Sequence, residues 1–215
     1  MGVLRFGVPQ GFVLWAREAF GIRAFVETGT NRAATTLWAS EHFAKVITIE
    51  GAKPLYEAAV AAHGTKSNIR FLHGDSRALL EGVLRELDEP AILWLDAHWC
   101  GEGTFGIKAE CPLLEEIAAV DRSAHDHVVL IDDARLFVAP PPQPHSARDW
   151  PDLLQVSAAL LAAKRGRYAA ITEDVIAVVS ESRRDALVEY LRRDVHAAVA
   201  PASLRRRVLR RVLGR

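Results

Sequence analysis

The sequence predicts an α/β fold, a mostly parallel seven-stranded sheet covered on both faces by helices and ending in an antiparallel hairpin. Three observations carry that expectation. Short apolar runs alternate with stretches of helical periodicity, which is the pattern of βαβ units around a buried parallel sheet. Several of the runs end in an acid, or break just before one. The last two runs are separated only by Glu173 and Asp174, the length of a tight hairpin connection.

Taken in order, residues 22–27 are rich in β-formers and stop at the turn residues Thr28, Gly29 and Thr30. A helical stretch covers 33–43, followed by a strand at 45–50 and a helix at 54–63. Residues 68–73 read as a strand that breaks at Gly74-Asp75-Ser76, where a helix through 79–87 begins. Residues 91–96 and 127–132 are continuous apolar strands, and 168–172 with 175–179 form the hairpin. Right-handed crossovers arrange such units as a doubly wound, Rossmann-like sheet. The glycine-rich segment 99–110 and the proline-rich segment 138–150 interrupt the pattern and are expected as loops flanking a ligand site.

At 215 residues and 23.7 kDa the chain makes one domain, here 1–200, with an appendage at 201–215. No apolar run reaches the roughly 18–20 residues that span a bilayer, and the first residues lack a secretory pattern. The expected location is therefore cytoplasmic. Cys100 and Cys111 match no zinc or CxxC spacing and are expected as reduced thiols. Net charge is zero. The arginines of the final segment stand opposite Leu204, Val208, Leu209, Val212 and Leu213 on a helical projection. Such a basic amphipathic tail suits an anionic membrane surface or a protein contact, including one with its own domain or a second copy in a homo-oligomer. It lacks the aromatic interleaving that would favour nucleic acid.

Ligands of open α/β sheets bind beyond the carboxyl ends of the strands. Glu27, Glu50, Asp75, Asp96 with His98, and Asp132 with Asp133 all fall at such ends. Gly29 permits a close backbone approach in a strand–turn–helix whose helix start offers N–H groups. Neither G-x-G-x-x-G nor a P-loop is present, which disfavours dinucleotides and nucleoside triphosphates. Glu50 stands where a carboxylate accepts hydrogen bonds from ribose hydroxyls.

Residues 22–137, and more loosely to 180, resemble class I S-adenosylmethionine-dependent methyltransferases. The resemblance rests on Val26-Glu-Thr-Gly-Thr30, Ile49-Glu50, His73-Gly-Asp-Ser76, Leu95-Asp96-Ala-His98 and Leu130-Ile-Asp-Asp133. Within the class the chain is similar to bacterial O-methyltransferases of the macrocin and FkbM-like kind, which act largely on sugar hydroxyls. The resemblance implies that Glu27, Gly29, Thr30 and Asn31 cradle the methionine moiety, with Asp96 also on the cofactor. It further implies that Glu50 holds the ribose and that Asp75 and Ser76 flank the adenine. The usual run of two or three glycines is reduced here to Gly29.

Three carboxylates at adjacent strand ends suit a hard divalent ion. By the same resemblance Asp96, Asp132 and Asp133 would hold Mg2+, and His98, beside Asp96, would be the general base. In the family that histidine is expected three residues after the aspartate rather than two. An imidazole titrating near its usual value of about 6.5 accepts a proton at neutral pH. The acceptor would be a sugar, glycan or similar polyhydroxy molecule. Two alternatives stand beside methyl transfer: a metal-dependent hydroxylase on the same fold, and a non-catalytic binding module. Glu110, Glu115 and Glu116 are expected at a solvated helix start.

Overall fold

The computed structural model describes residues 7–106, 109–163 and 166–199; the tail expected at 201–215 lies outside them. Helix α1 (Gln10–Phe20) leads into β1 (Ala24–Thr28), then α2 (Ala34–His42), β2 (Lys45–Glu50), α3 (Lys53–His63) and β3 (Ile69–His73). There follow α4 (Ser76–Arg85), β4 (Ala91–Leu95), α5 (Leu113–Arg122), β5 (Val128–Ile131) and the short α6 (Arg135–Val138). The chain continues through α7 (Leu153–Leu161), β6 (Arg167–Thr172), β7 (Val175–Ser180) and α8 (Arg184–Val199).

The seven strands lie in the order β3-β2-β1-β4-β5-β7-β6. The first five are parallel, and β7 runs antiparallel to both β5 and β6. Sheet and terminal hairpin are thus as the apolar runs imply. The two-residue turn works because Glu173 and Asp174 take φ of 47° and 69°, a backbone that matches the right-handed twist of a hairpin.

Strands β1 and β4 are buried along their whole length. Their residues alternate between two cores. Ala24, Val26, Ala91, Leu93 and Leu95 face the layer built with α4, α5 and α7. Phe25, Ile92 and Trp94 face the layer built with α1, α2 and α8. Burial on both faces explains why these runs are apolar throughout rather than alternating.

Local chemistry sets the helix limits. Asp75 accepts the Arg77 N–H at 2.9 Å and starts α4. Asp152 and Gln155 exchange bonds of 2.8 and 2.9 Å in a capping box that starts α7. Ala33 takes φ of 59°, so α2 begins one residue later than its periodicity suggests. Among the described residues no helix is long and apolar enough to cross a membrane.

Leu93 is fully buried whereas Leu154 on α7 is 77% exposed. Leu93→Ala should cost about 2–5 kcal/mol in urea unfolding, and Leu154→Ala should stay within about 0.5 kcal/mol of the parent.

Candidate functional site

A cleft opens at the carboxyl ends of β1, β2, β3 and β4, with about 630 Å³ of empty space including its open mouth. Gly29, Asn31, Glu50, Asp75, Ser76, Asp96 and His98 all line it. Seven of the residues singled out from the sequence therefore meet on one wall system.

The turn after β1 is held from several sides. The Gly29 N–H donates to the Ile49 carbonyl at 2.9 Å. Gly29 has φ of 85°, and a Cβ built on it would sit 2.2 Å from the Asp96 carbonyl oxygen. The glycine is required by the backbone of the β4 end, not only by a ligand. Glu50 completes the turn: Oε2 accepts the Asn31 N–H and Oε1 accepts the Ala52 N–H, each at 2.8 Å. A carboxylate has about four acceptor positions, so both oxygens retain acceptor capacity.

Glu27 and Thr30 are not among the lining residues; both are buried. Glu27 lies on the α2 side of β1, opposite Thr48 in the β1–β2 register. Its Oε2 accepts from Thr48 at 2.7 Å and from Thr36, and Thr30 bonds Thr48 at 2.6 Å. Burial pushes the Glu27 carboxyl up to about 8, against the lowering effect of those hydroxyls. It supports the turn from beneath. Asp75 turns its carboxylate onto Arg77, with contacts of 2.6–3.0 Å. Burial opposes ionisation there, yet the bonds from Arg77 hold the carboxyl below its usual range.

His98 Nε2 lies 3.0 Å from Asp133 and 3.2 Å from Asp96. Burial disfavours the charged ring, but bonds to Asp133, Asp96 and Cys100 outweigh it and raise the imidazole well above 6.5. The carboxylate partners thus hold the ring above the value at which an unperturbed histidine titrates. Asp96 is itself raised by burial and by Asp133. Asp132 is pushed up to about 7, by burial first and then by Asp96 and Asp133.

The expected metal set does not fit. Among the described residues no group of three His, Cys, Asp or Glu side chains is arranged to hold a metal ion. The reason is visible in the pairing. Asp133 faces His98 with one oxygen and accepts from Arg135 at 2.6 Å with the other, and Arg135 also bridges to Asp174. Asp132 accepts the Asp133 N–H at 2.7 Å.

The sequence reading misplaced two acids. Glu116 is 1% exposed; its Oε1 has no hydrogen-bond partner, and burial pushes the carboxyl up to about 7. Its position was legible, since Leu113, Glu116, Ile117 and Val120 share one buried face of α5. Glu110 is also buried, accepting from Trp150 at 2.8 Å and the Ser146 N–H at 2.9 Å, with His145 at 2.9 Å. Burial opposes its charge, but these partners hold it below the usual carboxylate range. It ties the glycine-rich loop to the proline-rich one. Only Glu115 is exposed as expected. Gly51, Leu55 and Arg77 line the cleft as well, unmarked by any motif, and so does Phe105 of the glycine-rich segment 99–110.

Solved structures share this architecture. An O-methyltransferase of Streptomyces achromogenes involved in tomaymycin synthesis, in complex with S-adenosylmethionine, superposes with a TM-score of 0.55 at 17% identity, over 82% of this chain and 81% of that one. The S-adenosylhomocysteine-bound methyltransferase of Podospora anserina gives 0.56 at 15%, over 80% and 78%. The Bacillus cereus O-methyltransferase with S-adenosylhomocysteine gives 0.52 at 14%, over 81% and 82%. The fold is that of Rossmann-like methyltransferases. At these identities the likeness is one of fold. No protein-family model and no curated protein matches the sequence.

Glu27 ordinarily ionises at 4.5 and here at about 8, so between those values the folded chain holds a proton that the unfolded chain has lost. The stability this proton confers is complete below the lower value and declines as pH rises to the upper one. Urea midpoints followed between about pH 5 and 8 should decline less steeply for Glu27→Gln than for the parent. Gly29→Ala, strained at its φ and blocked by the Asp96 carbonyl, should lose more than about 1 kcal/mol in the same assay.

Proposed function

We propose that this protein is an S-adenosylmethionine-dependent methyltransferase that forms an O-methyl group on a sugar or similar polyhydroxy molecule. The observation that carries this reading is Glu50. It is a buried carboxylate on the cleft wall, fixed by two backbone N–H groups at 2.8 Å, and it has acceptor capacity left for vicinal hydroxyls. The fold shared with cofactor-bound methyltransferases supports it. The cofactor would supply an electrophilic methyl group on a sulfonium.

The chain's own residues do the rest. Glu50 accepts from the ribose, and Gly29 and Asn31 present backbone to the methionine moiety. Ser76 and Asp75 border the base. Asp96 and His98 meet at the end of β4, where the acceptor hydroxyl must lose its proton. A His98 imidazole raised above 6.5 is a strong base that must first be emptied, so turnover should rise as pH increases above neutrality. Orientation of the two reactants in the cleft supplies much of the rate.

Calorimetric titration with S-adenosylhomocysteine should give micromolar binding, weakened by about tenfold or more in Glu50→Ala. Absence of binding by the parent chain would overturn the reading. In an acceptor screen with labelled methyl donor, His98→Gln should lower kcat by about 10²–10⁴.

A further inference from the structure

Helix α7 is apolar on two sides. Residues 153–163 carry no charge, and Val156 and Leu160 turn one side of the helix into the core. On the opposite side Leu154 and Leu161 are 77% and 81% exposed, and Ala158 and Ala162 are exposed with them. These four positions follow the spacing i, i+4, i+7, i+8 and form a single stripe. Val138, 62% exposed at the end of α6, lies against α7 and extends it. A contiguous exposed apolar surface on an otherwise well-packed protein marks an interaction site.

Two occupants suit such a stripe: the apolar positions of the tail at 201–215, and a second copy of the chain. Reach decides between them. Helix α8 packs on β7 through Leu187 with Val175, Ala177 and Val179, whereas α7 packs on the other face with Ile176 and Val178. In the sequence only residues 200–203 separate the end of α8 from the apolar positions 204–213. Four residues reach at most about 14 Å, less than the about 20 Å between helices on opposite faces of one sheet. A second copy meets no such limit, and the stripe is complementary to itself. An antiparallel pairing about Ala158 sets Leu154 opposite the partner's Ala162, large against small, and opposes the two helix dipoles. It buries no charge. The exposed leucines, alanines and Val138 offer apolar surface on the order of 400 Å². That is about half of the roughly 800 Å² each side of a stable complex covers, as the apolar share of an interface requires.

We propose that the exposed face of α7, extended by Val138, is a docking surface for a second copy of this chain, the two α7 helices pairing antiparallel about Ala158. The surface adjoins the rim of the cleft. Val138 and α7 stand at the two ends of the proline-rich segment, whose Trp150 ring lies 5.1 Å from that of His98 and bonds Glu110. Pairing therefore holds that segment at both ends.

Sedimentation velocity on the full chain between about 1 and 100 µM should show a reversible dimer of twice the 23.7 kDa chain mass, dissociating in the micromolar range. Leu161→Glu should sediment as a monomer throughout. Ala158→Cys meets its own copy at the two-fold axis and should form an intermolecular disulfide under mild oxidation. Leu154→Cys, offset from its counterpart, should not, and the parent with Cys100 and Cys111 is the control. In the dilute, dissociated chain Leu154 and Leu161 face water, so the urea midpoint of Leu161→Glu should match the parent and show that the variant is folded. A parent that stays monomeric, or a dimer that persists in Leu161→Glu, overturns the proposal. A monomeric parent that dimerises once residues 201–215 are removed gives the stripe to the tail and overturns it too.

Discussion

The edge of the sheet that carries the cleft depends on the approach of Gly29 to the backbone of Asp96. Strands β1 and β4 are neighbours in register, with Thr28 opposite Leu95. One residue further on, the chain leaving β1 must turn while the chain leaving β4 still lies against it. Only a residue without Cβ clears the Asp96 carbonyl. With that contact made, the turn also lies within reach of β2, through Gly29 to Ile49 and through Asn31 to Glu50. Three strand ends are thereby fixed to one another, and the walls of the cleft inherit their spacing from that contact.

The acids around this edge fall into two groups, and burial alone does not sort them. Asp75, Glu110 and Asp133 are each held below the usual range, and each has strong donors: Arg77, the Trp150–Ser146–His145 set, and His98 with Arg135. Glu27, Glu116 and Asp132 lack a cationic partner of that kind and are raised to about 8, 7 and 7. An uncompensated charge in an apolar interior costs more than taking up a proton. Among the described residues the strand-end acids form no metal-holding group, and the carboxylate closest to His98 is already shared between an imidazole and a guanidinium.

Much of this was legible in the sequence because the fold is built from local patterns. Apolar runs bounded by turn residues gave every strand, and of the acids and the histidine at strand ends Glu50, Asp75, Asp96 and His98 line one cleft. Glu27 escaped because the last residues of a parallel strand still alternate between faces, and its parity with Phe25 sends it under α2. Glu116 was legible from its helical spacing with Leu113, Ile117 and Val120. Glu110 was not, since its partners lie in a loop whose path no periodicity encodes.

Glu110 links the two irregular segments through one buried carboxylate. The Trp99 N–H bonds its backbone carbonyl at 2.8 Å, while its side chain takes Ser146 and Trp150 from the other segment. The two loops are therefore one structural unit. A graft that replaced residues 138–150 alone would leave the Glu110 carboxyl without its Trp150, Ser146 and His145 partners, at a cost in stability. Exchanging this rim without that loss takes both segments together, or first a residue at position 110 that needs no partner.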